Sequence, residues 1–392
     1  MDRILLAVGA FALWLIPSVG QLNKYLGPWG TGLSAAATLT GILLIVKQSN
    51  VIQSETWTVT ADRLLPLLVV ASVLAFAVLY PISNSGIVGP GSDRDDALDI
   101  ALRELLHGSY PYYARTYLGN TPRPAPGALL LALPFFLMGT SALQNLFWLP
   151  AFLYYSRYLL FCDPLLSLAF YSIFVLGCPG ALQDFVTGGD YLVNAIYVAI
   201  AVGMVARVHE RSCSRLTRWS IYVFLAVAVS SRVIYGVVIP VLAVFVGQRD
   251  GLRAAIEFIC FTALFIVIVN GPFYAYDPAN FVPLALGEKL EAVPNQLHAT
   301  LLLPIIGIFI ASLSIFVKLD EYRLFGAIAI ALLPIFVVPI LFEMSAGGWT
   351  LGSLIFANYF LPVTVCGGIS LTGCLAQQKV NSTGGKVRAP PA

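Results

Sequence analysis

The chain has 392 residues, of which 58% are hydrophobic and only 11% charged, with a mean hydropathy of +0.84 and a formal net charge of +2. Soluble domains carry about 25% charged residues, so this chain cannot cover itself with a water-compatible surface and most of it must be solvated by lipid. The small net charge gives no strong field for nucleic acid or an acidic partner, and the expected fold class is an all-α, polytopic integral membrane protein.

The first stretch, MDRILLAVGAFALWLIPSVG, has a short basic start and an apolar run without a small-x-small cleavage site, and reads as a first membrane helix rather than a removed signal peptide. A crossing helix takes about 20 mostly apolar residues. Segments that pass this test are 4–20, 31–47, 64–82, 125–141, 143–161, 164–182, 187–206, 219–247, 253–274, 299–318, 322–342 and 351–375, giving 11–12 membrane segments. The segment at 219–247 is long for one straight crossing and carries SSRVIYG at its middle, so a break or strong tilt is expected there. We expect residues 1–376 to form one membrane domain, with 83–124 as an outer loop. The tail 377–392, QQKVNSTGGKVRAPPA, is polar and rich in Gly, Pro and Ser, and is expected to be a disordered cytoplasmic tail.

Positive charge near span ends sets orientation. The 207–218 loop, RVHERSCSRLTR, carries Arg207, Arg211, Arg215 and Arg218 against Glu210 and should be cytoplasmic, while 275–298, with Asp277, Glu288 and Glu291 against Lys289, fits the outer side. Counting forward from a cytoplasmic N-terminus places 83–124 outside, whereas counting back across four segments from 207–218 places it inside. One of the four should therefore fail to cross, and the short, proline-containing 125–141 is the expected re-entrant half-helix. The six cysteines contain no CxxC pair and sit mostly in apolar runs, where thiols act as small hydrophobes. The three histidines lie far apart and show no ligand spacing for zinc.

One stretch, GSDRDDALDIALRELLHGSYPYYARTY at 91–117, is polar in this apolar chain. Ser92 and Asp95 have capping-box spacing, and Leu98, Ala101, Leu102, Leu105 and Leu106 recur at helical intervals before Gly108 and Pro111, so 93–107 reads as an amphipathic helix suited to the membrane interface. Asp93, Asp95 and Asp96 gather at its start, either to cap it or to act as a general base or metal ligand at the membrane surface. Arg232 interrupts an apolar run, and a charge at the bilayer centre costs about 2.5–3.5 kcal/mol on insertion scales, so it should face a cavity or a partner. Asp190 opens the 187–206 segment, as a helix cap or as a site residue. Tyr110, Tyr112, Tyr113 and Tyr117 suit an interfacial aromatic belt or stacking on sugar rings.

The order acidic pair, helix ending in Leu-Leu, Gly108, Pro111-Tyr112, polar gap, Pro126-Gly127 and apolar run resembles the first outer loop of GT-C glycosyltransferases, in particular polyprenol-phosphate-mannose-dependent mannosyltransferases. GCPGALQDFVTGGDYLVNAIYVAIAV (177–202) and SSRVIYGVVIPVL (230–242) are similar to later segments of those enzymes, with Arg232 where lysine is commoner. ANYFLPVTV (357–365) resembles a late element in which Asn358 replaces the usual arginine. The resemblance covers about residues 80–245, and the acidic residues sit about one position out of the family's spacing, which leaves Asp93 and Asp95 both open as the equivalent of its essential aspartate.

That resemblance implies transfer of a mannose-like sugar from a polyprenyl-phosphate donor to a glycan or lipid acceptor at the outer face of a plasma membrane. The catalytic base would be among Asp93, Asp95 and Asp96; Arg115, Arg123, Arg232 and His298 would meet the donor phosphate; and Tyr112, Asp184, Asp190 and Asn194 would contact substrate. No metal ligand set is assigned, although a carboxylate cluster could hold Mg²⁺ or Mn²⁺. The alternative is a multi-pass transporter or lipid flippase, but the paired broken helices in two related halves that many transporters show are not apparent.

Overall fold

The computed structural model describes residues 3–48, 55–85, 87, 92–211, 213–284, 296–346, 350, 354 and 356–382. Among these there is no strand. Fourteen α-helices follow in chain order: α1 Arg3–Gln48, α2 Glu55–Asn84, α3 Arg94–Leu106, α4 Pro126–Phe136, α5 Gln144–Tyr155, α6 Pro164–Phe170, α7 Pro179–Val186, α8 Tyr191–Glu210, α9 Arg215–Val229, α10 Val238–Asp250, α11 Leu252–Tyr276, α12 Gln296–Leu313, α13 Glu321–Ala346 and α14 Leu361–Ser382. Six helical stretches are individually long and apolar enough to cross a membrane, and two bent helix pairs meet the test together. The chain is an all-α, multi-pass membrane protein.

Side-chain burial sorts the helices. The most apolar window of α8 is 83% buried, against 17% for those of α2 and α11. α8 is thus the central post, and the outward faces of α2 and α11 expose Leu67, Val70, Leu74, Leu264, Val267 and Ile268. Apolar side chains in such numbers on a helix exterior are stable only against lipid.

Local chemistry sets the breaks. α1 holds two of the expected segments, and its path is interrupted at Gly27, whose φ of 67° and ψ of 179° lie outside helical values and just before Pro28. At about 1.5 Å per residue, 46 residues would span about 69 Å, twice a bilayer core of about 30 Å, so one straight crossing is excluded. The 219–247 segment breaks as expected: α9 ends at Val229, Ser230–Arg232 leave the helix, and a short 3₁₀ turn, Val233–Val237, leads into α10. The 164–182 segment is not one helix. Pro164–Leu176 and Pro179–Val186 meet at 71° across Gly177 and Cys178, because Pro179 cannot continue the preceding turn.

The segment expected to be re-entrant becomes α4, 11 residues and about 16 Å long, bent by 93° from Ser141–Leu160. The Ala125 and Gly127 N–H groups donate to Ser231 O and Ser230 O, each at 3.1 Å, and the Ser141 N–H donates to Asp99 Oδ1 at 2.8 Å. Asp99 belongs to α3. Both ends of α4 therefore lie at the end of the bundle that carries α3. Tyr113 Oη donates to Asp277 Oδ2 at 2.7 Å and Tyr110 Oη to Phe273 O at 3.0 Å, which brings the 277–284 turn to that same end. At the opposite end Arg207 pairs with Glu321, Arg249 with Glu210 and Arg215 with Glu257.

α3 forms as its periodicity predicts, one residue shorter at each end than 93–107, and Gly108 takes φ +80° as its stop. Its apolar face is covered by protein rather than lipid: Leu98, Ala101 and Leu102 pack on Ala128, Leu129 and Ala132 of α4. The expected tail boundary moves, since α14 continues to Ser382 and makes 377–382 helical; residues 383–392 lie outside the described residues.

α4 sits on the end of α9 through a glycine contact. A Cβ on Gly127 would stand 2.1 Å from Val227 O and 2.6 Å from Ser230 C, both backbone atoms. Gly127→Ala should therefore destabilise the protein by about 1–3 kcal/mol, as overpacking does, read as a fall in the unfolding midpoint in detergent. Gly119→Ala, where only a positive φ is at stake, should cost less.

Candidate functional site

The three clustered aspartates have three different environments. Asp93 is the residue before α3, but its side chain makes no cap hydrogen bond. Its Oδ2 accepts instead from Thr116 Oγ1 and Asn120 Nδ2, each at 2.7 Å, and so fastens the 116–120 turn to the helix start. Asp96 accepts from the Tyr117 N–H at 3.1 Å and holds the same loop. The expected Ser92–Asp95 capping box is not formed: α3 starts after Asp93, and the Asp95 carboxylate is taken by Tyr80.

Asp95 turns inward. It is 8% exposed and its Oδ2 accepts from Tyr80 Oη at 2.7 Å and from Asn84 Nδ2 at 3.4 Å. Tyr80 is itself held by stacking on Phe76 at 4.9 Å between ring centroids. Asp95 lines a cavity of about 450 Å³ with Tyr80, Asn84, Ser85, Asp96 and Tyr117. Burial pushes the Asp95 carboxyl up to about 6, against the opposing pull of the Tyr80 hydrogen bond. Desolvation penalises the charged form, and neighbouring Asp99 adds to the rise.

Beneath this cavity runs the Thr187–Asp190 turn. Gly188 takes φ +73°, and a Cβ there would meet Ala142, Tyr80 and, at 3.3 Å, Asp95 Cβ, so only glycine passes under the carboxylate. Two ion pairs flank the turn. Arg94 Nη1 donates to Asp184 Oδ1, and Asp184, fully buried, also accepts from the Leu192 N–H at 2.8 Å. Arg232 Nη2 donates to Asp190 Oδ2 at 2.5 Å, and the same oxygen accepts from Asn194 Nδ2 at 3.1 Å. Asp190 was open to helix capping, but its side chain makes no cap bond.

Both guanidinium groups share an aromatic partner. The Arg94 and Arg232 guanidinium carbons lie 4.9 Å and 4.5 Å from the centroid of the Tyr191 ring, and Arg94 lies 5.1 Å from that of Tyr359. Desolvated contacts of this kind are worth about 2 kcal/mol. The Arg232–Asp190 pair is not fully satisfied: Arg232 Nε and Asp190 Oδ1 are buried polar atoms without a hydrogen-bond partner. A buried donor and a buried acceptor left open side by side suit a bound polar group.

The remaining sequence candidates fall elsewhere. Tyr112 is buried, donates to Pro124 O at 3.1 Å and packs edge-on against Phe281 at 5.5 Å, so its ring fills the core of the outer loop. Arg115 is exposed and bonds Thr121 Oγ1. Arg123 is half-buried at the edge of the same loop. His298 lies on α12 and its side chain is outside the described residues. Asp184, Asp190, Asn194 and Arg232 are brought together, while Asp93 and Asp96 face the loop. Among the described residues no group of three or more His, Cys, Asp or Glu side chains is arranged to hold a metal ion. The carboxylates diverge: Asp93 and Asp96 bind the loop, whereas Asp95 faces Tyr80.

Sequence inspection missed Tyr80, Arg94, Tyr191 and Tyr359. Arg94 had a signal, as the lone cation among four aspartates at a helix start, and Tyr359 lies in the late ANYFLP element. Comparisons with protein-family models, with curated proteins and with solved structures return no match.

Removing one member of a buried pair strands the other. Arg94→Met should cost about 3–5 kcal/mol, because it leaves the Asp184 carboxylate buried and unpaired, whereas Arg94→Met with Asp184→Asn should recover most of the loss. Chemical unfolding of the two variants in detergent measures the difference.

Proposed function

We propose that the chain is a glycosyltransferase of the GT-C kind, which takes a mannose-like sugar from a polyprenyl-phosphate donor and passes it to a glycan or lipid hydroxyl at the outer face of a plasma membrane. The observation that carries this is Asp95: a buried carboxylate with a raised pKa, in a polar cavity at one end of a lipid-solvated bundle. Arg207, Arg211, Arg215 and Arg218 belong to the opposite end. The positive-inside bias supports a cytoplasmic assignment for that end, with Asp95 on the outer side.

The chemistry asks for a base, and Asp95 takes that role over Asp93, whose carboxylate is committed to Thr116 and Asn120. The acceptor hydroxyl gives its proton to Asp95 as its oxygen bonds the anomeric carbon. The bond from that carbon to the phosphate oxygen breaks, and the electron pair leaves with the lipid phosphate. The proton then passes from Asp95 to water. A base whose pKa lies near working pH combines availability with driving force. Arg232 supplies positive charge toward the departing phosphate and retains an open Nε–H.

Purified protein in liposomes, supplied with radiolabelled polyprenyl-phosphate mannose and acceptor glycans, tests this. Asp95→Asn should reduce transfer by about 10²–10⁴-fold, while Asp93→Asn keeps most of it. Transfer by wild type should rise with pH through a midpoint of about 6, as Asp95 loses its proton. Stability should move the other way. The folded state holds the Asp95 proton more tightly than the unfolded chain, so Asp95 contributes stability at low pH that is lost between about 4 and about 6. Transfer by Asp95→Asn at the wild-type rate would remove the assigned base. Absence of transfer from any polyprenyl-phosphate sugar would remove the enzyme.

A further inference from the structure

The last two turns of α2 have two faces. Tyr80 and Asn84 look into the Asp95 cavity, whereas Leu79, Ile82 and Ser83 line a second opening between α1, α2 and α7, of about 420 Å³. That volume lies within the range of about 300–1,000 Å³ typical of small-ligand sites. Its walls are mainly apolar, built by Leu22, Leu26, Leu79, Leu176, Leu182 and Val186. The hydroxyls at its edge are already engaged: Ser83 Oγ donates to Val186 O at 2.9 Å and Thr187 Oγ1 to Gln183 O at 2.9 Å.

Gln21 and Lys24 give the groove its chemistry. Gln21 is 7% exposed, lines the groove, and its Oε1 is buried without a hydrogen-bond partner. An unsatisfied buried acceptor is costly, and a hydroxyl of a sugar carried on a lipid phosphate is a donor that would relieve it. Lys24, one turn further along α1, puts an exposed ammonium at the rim, 5.2 Å from the Tyr25 ring centroid. An apolar slot in a lipid-solvated bundle, with the Lys24 ammonium at its rim, matches an apolar chain that ends in an anion.

We propose that this α1–α2–α7 groove holds the isoprenoid chain of a polyprenyl phosphate, with the phosphate at Lys24. The choice of an isoprenoid over other anionic lipids rests on the glycosyl-transfer function proposed above. Separated from Asp95 only by the end of α2, a chain seated here delivers its head group to the rim of the catalytic cavity.

The test uses the full chain in nanodiscs with a photoreactive polyprenyl phosphate, competed by unlabelled polyprenyl phosphate, by polyprenol lacking phosphate, or by phosphatidylglycerol. Leu79→Trp fills the groove from an exposed position, and Lys24→Gln removes the rim charge. Labelling should map to peptides of α1, α2 or α7, fall at least tenfold in both variants, and be competed by polyprenyl phosphate better than by the other two lipids. Asp95→Asn should label like wild type while losing transfer. Normal labelling in both groove variants, or equal competition by phosphatidylglycerol, overturns the groove assignment and leaves the Asp95 chemistry standing. Labelling that maps to the groove in a protein unable to transfer any sugar keeps the lipid site and sinks the transferase.

Discussion

A half-buried guanidinium on a fully buried carboxylate, Arg94 against Asp184, ties a polar helix to an apolar bundle. α3 has an apolar face of only a few side chains, and the rest of it is charged. Burial of Leu98, Ala101 and Leu102 on α4 holds its far side. The ion pair holds its start, and with it the inward orientation of Asp95, the next residue in the chain. In a low-dielectric interior such a pair is held because separating it would leave two uncompensated charges. The geometry of the cavity follows from that constraint.

The turn between α7 and α8 completes the arrangement. Asp184 and Asp190 stand at its two sides, each paired with an arginine from a different part of the chain, and Tyr191 lies between the two guanidinium groups. Gly188 lets this turn pass close under Asp95. Four segments far apart in sequence, 80–84, 94–96, 184–194 and 232, thus converge at one end of the bundle. Tyr359 extends the set to a fifth. At the other end the polar groups pair among themselves, as Arg207 with Glu321 and His209 with Asp250.

Hydropathy made the bundle legible, because lipid imposes a length and an apolar composition that few other environments require. Helix α3 was legible from its period and from Gly108. The break at 230–232 could be read from Arg232 within an apolar run, and the shortness of α4 from its prolines. What stayed hidden was pairing across the chain. Capping is a local rule, and it assigned Asp93, Asp95 and Asp190 to helix starts; in the structure each finds a more distant partner. Thr116 and Asn120 take Asp93, Tyr80 takes Asp95, and Arg232 takes Asp190. Tyr112 looked suited to a sugar or to the interface, yet it fills the loop core because Phe281 and Pro124 reach it from segments that only the fold brings near. The split at Gly177–Cys178 was likewise masked by continuous hydrophobicity on either side of Pro179.

Asp95, turned inward and mostly buried at the edge of its cavity, keeps its proton well above the usual carboxylate range. Infrared difference spectra of the protein in nanodiscs, recorded across pH and compared with those of Asp95→Asn, measure this at a single carboxyl group. A protonated carboxyl band present in wild type, missing from the variant and lost with a midpoint of about 6 is the predicted result. A carboxylate at this position that is already ionised at pH 4 would contradict it.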